Sequence, residues 1–216
     1  MSDRLLLAVD ASAGPASVAL FRNDTLLGGV RIDRTGSAER LAPAIAQLLH
    51  DTALHAKELT DVITGAGPGS FTGLRVAAAL AKGLARGANA RLHAVPSLAL
   101  IAAAEDDAPV GPYLCVLDAL RGEWFVQPVS RDADGQWHVD GGVERVPSAV
   151  VHDRALRTGA TLVGPPVNMA QQPDARAALR IGFAAVPRDT WEPDYGRLAE
   201  AQVVWEATHD QALPSS

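Results

Sequence analysis

Alternation of short β-branched or apolar runs with alanine- and leucine-rich helical runs predicts an α/β fold. Two further observations divide it into two halves, 1–106 and 107–216. An acidic, Pro-containing stretch, Glu105-Asp106-Asp107-Ala108-Pro109, reads as an exposed link between them. Beyond it the chain opens again with strand, turn, strand, as it did at the start. Each half is therefore expected to hold a mixed sheet.

Leu5 to Asp10 is an apolar run that ends in a carboxylate. Ala11-Ser12-Ala13-Gly14-Pro15 makes a small-residue tip, Ala16 to Phe21 returns as a second strand, and Thr25 to Ile32 adds a third. An aspartate leading into such a tip can position a metal-bound phosphate or hydrogen-bond its own turn. Ser37 to Leu54 reads as a helix with Ser37 as N-cap. Leu41, Ile45, Leu48 and Leu49 line one of its faces, which can serve the chain's own sheet or a partner helix.

Asp61 to Thr64 reads as a buried strand, and Gly65 to Arg75 turns from it into a helix. The turn holds Gly65, Gly67 and Gly69, and Ser70 is placed to cap the helix. A glycine corner that ends on an electropositive helix start is either an anion cradle or a structural turn. Spacing excludes three familiar loops. Ser70 stands where a dinucleotide fingerprint needs glycine, no lysine precedes the helix as a P-loop requires, and Pro68 replaces the first glycine of a nucleophile elbow. The helix itself carries Gly73, Ala77, Ala78, Ala79, Ala81 and Gly83, small enough for close helix–helix approach, with Leu74, Leu80 and Leu84 as larger knobs; an interface and a well-filled core explain them equally well.

Arg91 to Val95 is a further strand and Ser97 to Ala104 a helix. In the second half, Pro112 to Asp118 and Glu123 to Val129 pair about a turn at Ala119–Gly122, and Gln136 to Val139 adds a third strand. A helix over Pro147–Thr158, a strand at Thr161–Gly164, a short helix at Ala175–Leu179 and a strand at Ile181–Val186 follow. Tyr195 to His209 is expected as the last helix, with a frayed tail.

At 216 residues and 48% hydrophobic content the chain has ample core. A formal charge of −6 argues against unaided tRNA or DNA binding, which needs clustered Lys and Arg. Cys115 is the only cysteine, so no internal disulfide can form, and a reducing, cytoplasmic setting is expected. The N-terminal apolar run is too short for a signal segment, and no run reads as membrane-spanning. None of the six histidines has the spacing of a helical metal pair, and no nucleophile, base and oxyanion donor assemble. A binding or scaffolding role fits better than catalysis, with no catalytic and no metal residues. An ATP-dependent small-molecule kinase is the alternative, with Asp10 and the glycine corner on the phosphates and Asp118 as base.

Several motifs together resemble the bacterial TsaB (YeaZ) family of tRNA threonylcarbamoyladenosine biosynthesis proteins. They are Leu6 to Ser12 with Ser17 to Leu20, Gly65 to Arg75, Ala81 to Ala85, Val95 to Leu98 and Leu117 to Glu123. The resemblance implies an actin-like (ASKHA, ribonuclease H-like) fold of two related halves. It implies a non-catalytic partner of the paralogue TsaD, which transfers the threonylcarbamoyl group to tRNA adenosine. A TsaE-like ATPase joins them, and tRNA is met only through the complex. It further implies a homodimer when the chain is alone, no membrane, and no tightly bound cofactor, with ATP or ADP held near the subunit interface. Asp10, Ser12, Gly67, Gly69 and Ser70 would lie near that nucleotide. The helices Ser37–Leu54 and Ser70–Gly87 would form the interface, through Leu41, Ile45, Leu48, Leu49, Leu74, Ala77, Leu80 and Ala81. The catalytic paralogue carries two metal-binding histidines where this chain has Ser97 and Ile101, which places the chain with the partner. The tail ends Leu213-Pro214-Ser215-Ser216, without the Tyr-Leu-Arg signature that members often carry.

Overall fold

Along β1 (Leu5–Asp10), successive side chains leave on opposite faces, and both faces are apolar. In the computed structural model, which describes residues 3–33 and 36–196, Leu5, Leu7 and Val9 enter one core cluster and Leu6 and Ala8 another. A strand apolar on both sides belongs in the middle of a sheet covered twice. β1 pairs antiparallel with β2 (Ala16–Arg22), which pairs with β3 (Thr25–Ile32) at the edge. On its other side it runs parallel to β4 (Asp61–Gly65), itself parallel to β5 (Arg91–Val95).

The second sheet is built on the long hairpin of β6 (Gly111–Leu120) and β7 (Glu123–Arg131). Its turn residues Arg121 and Gly122 both have positive φ, 55° and 80°, the twist a two-residue hairpin loop needs. β8 (Trp137–Val139) and β9 (Glu144–Pro147) both pair with β7, and β10 (Thr161–Val163) runs parallel to β6. β11 (Ala184–Ala185) returns to the first sheet, antiparallel to β5.

Helices complete five layers. α1 (Ser37–Asp51) and α2 (Phe71–Gly87) cover the outer face of the first sheet. α3 (Ala99–Ala103) and a 3₁₀ turn, Ala175–Arg180, lie between the sheets, where Tyr113, Cys115, Leu117 and Phe125 meet Leu6, Ala8 and Ile63. α4 (Val151–Thr158) covers the outer face of the second sheet with Val151 and Ala155.

Several elements differ from their expected extents. α1 starts after Gly36 in the left-handed conformation (φ 67°), so the N-cap is Gly36 and not Ser37. It stops at Asp51, because Ala53 also turns left-handed and the Thr52 hydroxyl takes the Leu48 carbonyl. α3 begins only at Ala99, since Ser97 is spent on other partners described below. Residues before Val151 form β9 and a short 3₁₀ turn, Ser148–Val150, where a helix was expected from Pro147. Only two residues of Ile181–Val186 pair as strand. The helix expected over Tyr195–His209 lies, beyond Gly196, outside the described residues; Tyr195 and Gly196 are not helical. Among the described residues no helix is long and apolar enough to cross a membrane.

Candidate functional site

The parallel strands β1, β4 and β5 end side by side, at the carboxyl edge where open α/β sheets place ligands. Asp10 ends β1 and is 1% exposed. Its Oδ1 accepts the Ser12 amide at 3.0 Å and the Ser12 hydroxyl at 2.7 Å. Its Oδ2 accepts the Ser97 hydroxyl at 2.7 Å, and Ser97 Oγ in turn accepts the Gly67 amide at 3.0 Å. Burial pushes the Asp10 carboxyl above its ordinary pKa, against the pull of these hydrogen bonds. The group is thus an internal brace joining the ends of all three strands.

The glycine corner closes over this brace. A Cβ on Gly69, whose φ is 157°, would run into the Ser12 carbonyl oxygen, and the Ser70 amide donates to that same oxygen at 2.6 Å. A Cβ on Gly67 would strike the carbonyl oxygen of Asp194. Ser70 caps α2, its hydroxyl oxygen accepting the Gly73 amide at 3.2 Å.

Between the lobes lies a cavity of about 280 Å³. Ser12, Gly14, Gly69 and Ser70 line it from the first lobe, Leu117, Asp118 and Phe125 from the second, with Pro165 and Gln172 at its margin. The structure therefore brings Ser12, Gly69 and Ser70 to one cleft. Asp10 and Gly67 lie behind its wall. Asp118 is exposed and uses Oδ1 to accept the Leu120 amide at 2.8 Å. Ser97 and Gln172 did not stand out as site residues in the sequence. Ser97 had a usable signal, a hydroxyl just past the end of a strand parallel to β1, but its partner lies 87 residues away. Gln172 is buried with Oε1 unpartnered and sits in a stretch without periodicity. Among the described residues no group of three His, Cys, Asp or Glu side chains is placed to hold a metal.

Most of the side chains expected at an interface on the two helices are covered within the chain. Leu41, Ile45, Leu49, Leu74, Ala77 and Ala81 are all less than 8% exposed and pack within the chain's own core. Leu48 and Leu80 are half-buried. An apolar stripe on a helix looks the same whether a sheet or a partner covers it, and here the sheet covers it. The outward side of α2 presents Thr72, Ala79 and Gly83, with Val76 and Leu80 half-buried beside them; α1 presents Ala42 and Ala46.

The family model described as TsaD, tRNA N6-adenosine threonylcarbamoyltransferase, matches residues 31–132. The tRNA threonylcarbamoyladenosine biosynthesis protein TsaB of Escherichia coli (strain K12) is 29% identical over 150 residues, 69% of this chain and 65% of that protein. Its counterpart in Bacillus subtilis (strain 168) is 33% identical over 123 residues, covering 56% and 52%. An uncharacterized protein of Mycobacterium bovis is 33% identical over 183 residues, 83% of this chain and 72% of its own length. The chain thus spans just under two thirds of the first of these relatives and about half of the second. Among solved structures, YeaZ from Pseudomonas aeruginosa superposes with a TM-score of 0.73 at 24% identity, covering 89% of this chain and 99% of that one. The two mixed-sheet lobes are an actin-like fold. In fold and in these sequence matches the chain is similar to the TsaB (YeaZ) proteins.

Proposed function

We propose that this chain is a non-catalytic subunit of the assembly that makes threonylcarbamoyladenosine on tRNA, and that it docks a TsaD-like catalytic paralogue through the outward sides of α1 and α2. Residues 1–106 and 107–216 act as its two halves, and the docking helices belong to the first. The pathway is supported by the relatives, which are named as biosynthesis proteins of this modification. One observation carries the docking. The outward side of α2 carries the small residues Ala79 and Gly83 between Arg75, Lys82 and Arg86, and a Cβ on Gly83 meets nothing among the described residues within 4 Å. Such a surface lets another helix approach closely. A TsaE-like ATPase completes the assembly, tRNA is reached through the complex, and ATP or ADP sits near the subunit interface. Alone, the chain pairs with itself on the same surface.

The kinase alternative asks Asp10 to face a nucleotide. Both its oxygens are instead engaged by Ser12 and Ser97, behind the cleft wall.

Light-scattering mass on a size-exclusion column tests the docking, with the chain alone and mixed with the same organism's paralogue. Gly83→Arg is expected to abolish the mixed complex with an unchanged melting temperature. Ala77→Glu, which forces a charge into the core, is expected to cost more than about 3 kcal/mol and lose the fold. A Gly83→Arg protein that still forms the one-to-one complex sinks the docking surface.

A further inference from the structure

An irregular strap, residues 187–196, runs antiparallel along the flank of α2. At its start Arg188 Nη1 donates to the carbonyls of Ala85 and Ala90, at 3.1 and 3.4 Å, closing the C-terminal end of the helix. Asp189 pairs with Arg86, and Glu192 pairs with Lys82 at 2.6 Å. Trp191 packs on the outer core cluster, and Tyr195 lies on Phe71 with ring centroids 4.7 Å apart. The sequence of α2 contains Arg75, Lys82 and Arg86 and no carboxylate. Its acidic partners here come from the strap.

Where strap and helix meet there is an open notch of about 300 Å³, lined by Ala79, Lys82, Gly83 and Arg86 of α2 with Arg188 and Asp189 of the strap. Its lining sets three cations, Lys82, Arg86 and Arg188, against Asp189, and Glu192, outside the lining, pairs with Lys82. In a chain of net charge −6, this notch is locally positive. The Arg86–Asp189 pair is the exchangeable part: both side chains are more than 70% exposed, so the pair is worth little and can be replaced.

We infer that the protein docked on α2 seats an aspartate or glutamate side chain in this notch, displacing Asp189 from Arg86. The inference rests on the docking reading proposed above and names the chemistry of the partner. A closely apposed carboxylate gains from Lys82, Arg86 and Arg188 once water is excluded. A second copy of this chain is the poorer occupant, because pairing α2 to α2 about a two-fold axis sets cation opposite cation.

The test measures the affinity of the full chain for the TsaD-like paralogue, by titration at two salt concentrations, for wild type, Gly83→Arg, Arg86→Glu and Asp189→Asn. Arg86→Glu should weaken the complex about tenfold. Asp189→Asn, which removes the internal competitor, should tighten it severalfold, a gain that damage to the fold cannot imitate. Raised salt should weaken the wild type more than Arg86→Glu. A complex blocked by Gly83→Arg but indifferent to both charge variants overturns the acidic occupant and leaves the docking surface standing. If Arg86→Glu changes only self-association, the occupant is a second copy and the inference is wrong. No complex from the wild type overturns both readings.

Discussion

Asp10 and Asp61 stand at opposite ends of the first sheet, both almost wholly buried, and their carboxyls are driven in opposite directions. Burial opposes ionisation of each. Around Asp10 the hydrogen-bond donors are neutral hydroxyls and an amide, and burial wins. Around Asp61 the donors are His93 at 2.7 Å, Thr60 at 2.8 Å, Arg91 and Arg4, and together they hold its pKa at about 2. The folded value lies below the ordinary 3.8, so Asp61 contributes stability that is fully present above about pH 4 and is lost as pH falls toward 2. Urea denaturation as a function of pH should show a loss of about 2 kcal/mol across that window, absent in Asp61→Asn; an identical slope in the variant would refute it. At the other end, Ser97→Ala leaves Asp10 Oδ2 and the Gly67 amide without their partner, at a cost of about 2 kcal/mol in the same assay. The local half of that brace, Asp10 with Ser12, was readable from an aspartate at the head of a turn. Ser97 was not, because nothing near it in sequence reveals which strand end it will meet.

At the scale of elements, what the chain writes locally could be read. The three-strand opening, β4, the glycine corner and α2 follow from side-chain alternation, turn residues and a capping serine, each confined to a few neighbours. Ser70→Ala should accordingly cost about 1 kcal/mol, seen as a lower urea midpoint with an unchanged slope. A midpoint equal to wild type would mean the cap contributes nothing. Elements fixed by distant contacts were misjudged: α3 is shortened by the demands on Ser97, β9 exists because β7 offers an edge, and β11 pairs for only two residues. The stripe of Leu41, Ile45 and Leu49 was legible as apolar, yet its pattern holds no record of what covers it. Ala79 and Gly83, outward residues of α2, were legible as small, yet size alone does not tell an outward residue from an inward one.

For the molecule as a whole, the decisive feature is the central cluster shared by both sheets. Residues from β1, β4, α3, β6, β7 and the 3₁₀ turn at Ala175–Arg180 form one continuous core. Such sharing couples the lobes, so calorimetry of the isolated chain should show a single transition. Two resolved peaks would mean the lobes are stable apart. The two-half plan was visible in the repeated strand–turn–strand opening and the acidic link. The crossing back of the late segment was not, since Ala175–Arg180 and β11 carry too few residues to announce a sheet. That crossing sets a timetable for biosynthesis. At roughly 5–20 residues per second, the ribosome takes on the order of ten seconds to pass from β5 to β11. Through that interval the emerging chain holds a sheet whose β5 edge lacks β11 and whose inner face, with Leu6, Ala8 and Phe21, lacks the cover of Ala175–Arg180. Until β11 is made, the β5 edge of the nascent chain is open to pairing with other strands.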